Sequence, residues 1–291
     1  MNNTNDEIDA VSQEIDRIVE QKPHIKPLLD AFRPIILEKT RLLLETADSK
    51  RTITVDEAKY LGGIPLIQQD NLFFPDDPWR EMALAVSGAI QAGFPHIAGD
   101  MTRLKEQINS DLIDAYDYFR SPEAPDGKKI KDWAEKIPID PDTLVVFINF
   151  LTGILLTKRA REAAATIAPL SWNKGYCPVC GGYPMLAVTK NQGHKWLQCS
   201  QCSHEWGYPR IKCPYCEHEN PKKANFFYVD SEKEEKAFTC DKCQKYLITI
   251  NLPLPLRSFD PCITAIGLTH LDMLLQEKGF SPMAMCAWNT F

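Results

Sequence analysis

An α+β protein is predicted, with an all-helical N-terminal region followed by a small-stranded region and a closing helix. Three observations lead there. Residues 1–170 place apolar side chains at helical spacing and break at prolines. Residues 177–243 hold four Cys-x-x-Cys pairs, so eight of the ten cysteines fall within 67 residues. Short β-type runs alternate with those pairs. The chain of 291 residues is long enough for two domains, and its 44% hydrophobic and 25% charged content suits a protein that buries a core.

In the first region, Ile8, Val11, Ile15, Ile18 and Val19 form one apolar stripe that stops at Pro23, where a helix interior would lose a hydrogen bond and clash. A second helix is expected from Pro27 to Leu44, with Pro34 as a kink site. Gly62-Gly63 marks a turn; without a Gly-x-Gly-x-x-Gly or Walker pattern it is not read as a phosphate site. Asp77-Pro78 looks like an N-cap and N1 proline, starting a helix through Ile90 to Gly93. Another helix is expected over Asp100–Phe119, then a loop over Ser121–Lys129. Asp140-Pro141 repeats the cap signal before the longest apolar run, Leu144–Thr157. At 14 residues, with Lys158, Arg159 and Arg161 following, this run predicts a buried helix rather than a membrane span. Pro169 ends it. Six to eight helices would form this bundle.

Beyond the boundary, Met185–Val188, Lys195–Gln198, Asn225–Val229 and Leu247–Ile250 read as strands, with Asn191-Gln192-Gly193 a hairpin turn and Pro253 and Pro255 closing the last strand. Asp260-Pro261 opens a final helix whose Ile263, Ile266, His270, Leu271, Leu274 and Leu275 share a face up to Gly279.

A Cys-x-x-Cys turn lets two thiolates converge on one ion while backbone N–H groups point at the sulfurs, and Gly181 after Cys180 suits the positive φ such a turn uses. Two turns complete a tetrahedral four-sulfur site of the kind that holds structural zinc or mononuclear iron. Eighteen residues separate Cys180 from Cys199 and 23 separate Cys216 from Cys240, each enough for a hairpin; only ten separate Cys202 from Cys213. The spacing therefore pairs Cys177 and Cys180 with Cys199 and Cys202, and Cys213 and Cys216 with Cys240 and Cys243, as two tandem rubredoxin-like or zinc-ribbon modules. An interleaved cross-brace is the alternative. The implied division is a helical domain over 1–170, modules over 171–210 and 211–256, and a C-terminal helix and tail over 257–291. Replacing Cys177 or Cys213 by Ser is expected to unfold its module, checked by metal content and circular dichroism.

His194, His204 and His218 lie between the pairs, but each site already has four sulfurs, so they are read as neighbours of the sites. Trp196, Trp206 and Tyr208 are read as core, and Cys262 and Cys286 as buried free thiols. The N-terminus, Met1 to Glu7, lacks the basic and apolar regions of a secretory signal, which predicts a cytoplasmic protein. There disulfides are rare and paired cysteines read first as metal ligands. Residues 1–170 carry 28 acidic and 20 basic side chains, and residues 171–291 carry 11 and 13. Two loaded four-thiolate sites would cancel that basic excess, so no nucleic-acid surface is expected beyond Lys222-Lys223 with Phe226, Phe227 and Tyr228. No Ser/His/Asp, paired-carboxylate or nucleotide-binding constellation emerges, which argues against an enzyme. A thioredoxin-type dithiol is a single pair near a βαβ unit, unlike this pattern. Electron transfer through iron remains an alternative, as does a zinc-ribbon nucleic-acid binder.

The series Cys177-Pro-Val-Cys180-Gly181, Cys199-Ser-Gln-Cys202-Ser-His-Glu205-Trp206, Arg210-Ile-Lys-Cys213-Pro-Tyr-Cys216 and Cys240-Asp-Lys-Cys243 resembles the formate dehydrogenase accessory proteins of the FdhE type. The tail, with Asp260, Thr269-His-Leu-Asp272 and Glu277-Lys-Gly-Phe280, is similar too. The resemblance covers Cys177 to Phe280. It implies a cytoplasmic accessory factor, not an enzyme, that engages the catalytic subunit of a respiratory formate dehydrogenase before export. It also implies two mononuclear metal ions on the eight cysteines, iron favoured over zinc, with no nucleic acid and no membrane insertion. A homodimer is compatible with it.

Overall fold

The computed structural model describes residues 4–49, 51–110, 133–190, 193–220, 223–228, 235–252 and 259–290. Its helical part comprises α1 (Thr4–Gln21), α2 (Lys26–Glu45), α3 (Glu57–Leu61), α4 (Trp79–Gly93), α5 (Ala98–Asn109) and α6 (Pro141–Ile167). The helix α1 stops before Pro23 as expected, while α2 runs through Pro34 without interruption. Gly63, at φ +91°, turns the chain after α3. Of the helix expected over Asp100–Phe119, α5 covers the first part. The segment beyond Ser110 and the loop over Ser121–Lys129 lie outside the described residues, as do Asn191, Gln192, Val229, Pro253 and Pro255.

The cap signals divide two to one. Asp140 accepts from Thr143 N at 2.8 Å and Asp260 accepts from Cys262 N and Ile263 N, so both cap their helices. Asp77 does not cap α4. Its Oδ2 takes Phe74 N and its Oδ1 pairs with Arg159 of α6, because a fully buried guanidinium needs a carboxylate more than a helix end does.

The C-terminal part is one seven-stranded sheet of β1 (Pro184–Lys190), β2 (His194–Cys199), β3 (Glu205–Tyr208), β4 (Ala224–Tyr228), β5 (Glu235–Cys240), β6 (Lys245–Asn251) and the short β7 (Ser281–Pro282). Each module is an antiparallel meander, β1-β2-β3 and β4-β5-β6. The two are fused: β1 pairs in parallel with β6, Leu186 beside Ile248 and Val188 beside Ile250, giving the order β3-β2-β1-β6-β5-β4. The closing helix is two, α7 (Pro261–Ile266) and α8 (Thr269–Glu277), broken at Gly267-Leu268, where α7 abuts Ile18 of α1.

Because β1 and β6 are covered on both faces, alternate residues enter different cores. Leu186, Val188, Ile248 and Ile250 join the helical bundle, whereas Ala187, Leu197, Leu247 and Phe238 join a second core containing the cysteines. The helix α6 belongs to both. Leu144 to Leu155 serve the first core and Leu156, Ala160, Ala163 and Ile167 the second. By length and apolarity α6 could cross a bilayer, but 72% of its most apolar 18-residue window is buried inside the protein.

Candidate metal centres

All four Cys-x-x-Cys turns are built alike. The residue after each second cysteine has positive φ: Gly181 (76°), Ser203 (55°), Glu217 (55°) and Gln244 (55°). That left-handed step returns the chain so that Gly181 N, Glu217 N and Gln244 N donate to the carbonyls of Cys177, Cys213 and Cys240 at 2.8–3.0 Å. It also leaves N–H groups facing sulfur: Val179 N to Cys177 Sγ at 3.4 Å, Gly182 N to Cys180 Sγ at 3.5 Å and Gln201 N to Cys199 Sγ at 3.4 Å.

The sulfurs gather in the two sets the spacing pairs, Cys177, Cys180, Cys199 and Cys202, then Cys213, Cys216, Cys240 and Cys243. Within each set the ligand atoms lie within 4.8 Å of one another. Metal–sulfur bonds of about 2.3 Å place the corners of a tetrahedron about 3.8 Å apart. In the second set Cys213–Cys243 and Cys216–Cys240 stand at 3.8 and 3.7 Å, and in the first Cys177–Cys202 and Cys180–Cys199 at 3.4 Å. Each set is thus able to hold one ion with little movement.

Their electrostatics favour a cation. Burial pushes the Cys177 and Cys202 thiols well up, and against burial the hydrogen bonds from Cys177, Cys180 and Cys202 pull Cys199 well down. In the second set burial raises Cys213 and carries Cys243 up to about 12, while backbone and sulfur hydrogen bonds lower Cys240. Four clustered sulfurs without an ion share few charges; all four ionise only around a cation.

The helical part clamps the first set from two sides. Leu66 N and Ile67 N donate to the carbonyls of Pro178 and Val179 at 2.9 Å. Opposite, the second turn rests on α6, where a Cβ on Gly153 would stand 3.1 Å from Gln201 O, and Lys39 Nζ reaches Ser203 Oγ at 3.1 Å. Beside that turn opens a cavity of about 440 Å³ lined by Phe32, Ile36, Gln201, Cys262, Cys286 and Trp288. Among the described residues the second set has no such clamp in the bundle. It joins the first through β1–β6, through Lys195 and through the approach of Gly175 to Pro214.

The histidines stay out of both sets: His194 is exposed, His204 is half-buried with its imidazole pushed down by burial, and the carbonyl of His218 accepts from Cys213 N at 2.9 Å. Trp206 and Tyr208 are buried as expected. On β2 the expectation inverts. Trp196 is only half-buried, whereas Lys195, opposite Tyr208 in the ladder, is 7% exposed. Burial carries its ammonium down to about 8, against the pull of Cys213. Its period-2 position was a signal, but the neighbouring tryptophan masked it. Cys286 is buried and Cys262 half-buried. Of the strand surface with aromatic character, Phe226 and Tyr228 are exposed and Phe227 packs on Phe280, while Lys222 lies outside the described residues.

An α+β fold with two four-cysteine turns sets on one sheet defines the class. Residues 176–210 match the family model described as FdhE, central domain. The chain is 32% identical over 113 residues to the protein FdhE homolog of Aquifex aeolicus, covering 38% of this chain and 40% of that one. It is 36% identical over 112 residues to the homolog of Pseudomonas aeruginosa, 36% of each chain, and 32% identical over 114 residues to protein FdhE of Escherichia coli K12, 36% of this chain and 35% of that one. The matched stretch thus spans less than half the length of these relatives. Over nearly the whole length the fold is that of the crystal structure of the FdhE protein from Pseudomonas aeruginosa, with a TM-score of 0.60 at 22% identity, covering 96% of this chain and 93% of that one. The chain is therefore similar to FdhE proteins across its first cysteine set and shares the fold of one of them.

Proposed function

We propose that this chain is a cytoplasmic, non-catalytic accessory factor that binds the catalytic subunit of a respiratory formate dehydrogenase and assists its assembly before export. Supporting this reading above all is the FdhE-type central region, which carries one complete four-cysteine set. Cys177, Cys180, Cys199 and Cys202 would hold one ion, and Cys213, Cys216, Cys240 and Cys243 a second, with iron favoured and zinc the alternative. A mononuclear ion in such a site holds its module folded and, if iron, can also change charge by one electron.

The residues around the sites fit a binding role. Both turns of the first set are held by the helical part through Leu66, Ile67 and Lys39, so loading that set fixes the junction between helices and sheet. The cavity beside Gln201 is apolar and sits at the same junction. A partner gripping both parts would therefore meet a surface whose shape depends on the metal.

Two measurements test the reading. Metal analysis and an absorption spectrum of anaerobically purified protein should give two equivalents, coloured if ferric. Pull-down of the catalytic subunit should succeed with the full chain and fail when the cysteines are replaced. A loaded, folded chain that retains no catalytic subunit under anaerobic conditions would sink the proposal.

A further inference from the structure

Three cations among the described residues are buried: Lys158, Arg159 and Lys195. The first two have carboxylates. Lys158 pairs with Asp48 at 3.3 Å, and Arg159 with Asp77 and Glu162. Lys195 forms no ion pair with any carboxylate among the described residues. Its Nζ donates to the carbonyls of Arg210 and Lys212 at 3.2 and 3.3 Å and sits 5.2 and 5.3 Å from the ring centres of Tyr208 and Phe238. A buried ammonium held only by neutral groups is costly, and the neighbouring Arg210 makes it more so.

The negative charge lies one residue further along the chain. Lys212, whose carbonyl Lys195 grips, precedes Cys213, and Tyr208, under the ammonium, donates its hydroxyl to the carbonyl of Cys213 at 3.3 Å. Two hydrogen bonds, from Lys195 and from Tyr208 beneath it, thus converge on the start of the turn that begins the second four-sulfur set. Four thiolates around a divalent ion carry a net charge of −2, and around a ferric ion −1. Lys195 comes from β2, in the module of the first set, so the charge crosses from one module to the other.

We infer that Lys195 is the built-in counter-charge of the second metal site, stabilising the loaded anionic cluster of Cys213, Cys216, Cys240 and Cys243 and tying that loading to the neighbouring module. The inference rests on the reading that both cysteine sets bind metal. It makes the two sites unequal. The first is secured by the helical part, and the second by a cation that has no anionic partner among the described residues until the ion arrives.

The sign of the effect separates this role from simple packing. Lys195→Met keeps the stem and removes the charge. Under the inference the reduced, metal-free variant unfolds at the same or higher urea concentration than the parent, because an unpaired buried cation is gone. The zinc-loaded full-length variant binds its second ion about 10- to 100-fold more weakly, as for other groups that support metal ligands. The first ion is unaffected, and Lys195→Arg restores binding. Competition with a chromophoric chelator reads the two ions, and alkylation of the freed thiols, mapped by peptide mass, tells which set released first. A parent chain that binds no stoichiometric zinc overturns the metal reading and the inference with it. A parent that binds two ions, beside a Met variant that binds both equally well or is destabilised in the metal-free form, overturns the inference alone.

Discussion

Gly175 lies against the carbonyl oxygen of Pro214, so close that a Cβ built on Gly175 would overlap the oxygen and its carbon. Gly175 belongs to the approach to the first Cys-x-x-Cys turn and Pro214 to the third. The two modules therefore touch at their cysteine turns as well as through β1 and β6. Gly175→Ala forces backbone against backbone, and overpacking of this kind costs about 1–3 kcal/mol. The expected result is a lower urea midpoint together with weaker metal retention at Cys213–Cys243. An alanine variant with parental stability and two tightly held ions would refute the contact's importance.

Arg159 anchors the other end of the second core. Its side chain is fully buried, stacks 4.3 Å over Phe74, donates from Nε to Leu72 O at 3.0 Å and pairs with Asp77 and Glu162. These contacts fold the 72–77 segment onto α6. Arg159→Ala takes the cation from two carboxylates, which keep only backbone N–H donors at Phe74 and Ser49, and breaking a buried pair from one side costs about 3–5 kcal/mol. Arg159→Lys should recover little of that, because one ammonium cannot reach Leu72, Asp77 and Glu162 in their separate directions. Urea unfolding of both variants is the check, and near-parental stability in the lysine variant would contradict it.

What was legible beforehand follows from range along the chain. The cysteine turns, the left-handed step after Cys180 and the caps at Asp140 and Asp260 are local, each set by residues within a few positions, and each is where the sequence places it. Asp77 was misread as a cap, and Trp196 rather than Lys195 was read as core, because the partners of Asp77 and Lys195, Arg159 and the turn at Cys213, are distant in sequence, and a distant buried contact outweighs a nearby cap or an apolar neighbour. The parallel β1–β6 pairing was equally hidden. Two meanders can sit side by side in several ways, and only the two-sided burial of Leu186–Val188 and Leu247–Ile250 selects this one.

Asp272 gives the fold a pH dependence. The carboxyl accepts from Tyr246 Oη at 2.6 Å, and Gln276 links that hydroxyl to the carbonyl of Asn289 in the tail. Burial raises Asp272 to about 7, against the opposing hydrogen bond from Tyr246. A carboxyl raised above its unfolded value of 3.8 binds its proton more tightly in the folded state, so its contribution is fully present below about pH 4 and is lost as pH rises through about 7. For one group the slope is about 1.4 kcal/mol per pH unit inside that window. Asp272→Asn keeps an acceptor for Tyr246 and removes the titration. The variant's stability relative to the parent, from urea melts at pH 5 and pH 8 with metal content held equal, should increase with pH; a constant difference would rule the assignment out.

The four turns share one backbone step but not one residue type. Gly181 adopts positive φ at no steric cost, whereas Ser203, Glu217 and Gln244 hold it with a Cβ. Ser203 has a compensating bond from Lys39, and Gln244 donates to Asp241 O at 2.9 Å, but Glu217 has only a loose pairing with Lys212 at 3.8 Å. Strain is therefore least offset at the third turn. Glu217→Gly should raise stability by about 0.5–1 kcal/mol, and Gly181→Ala should lower it by about 1 kcal/mol or more. Because the left-handed step sets where N–H groups meet sulfur, the Ala variant should also release its ion to a chelator faster, while the Gly variant should not. Equal stabilities for the two variants would mean that the turns are held by their metal ions and that the backbone preference of these positions is immaterial.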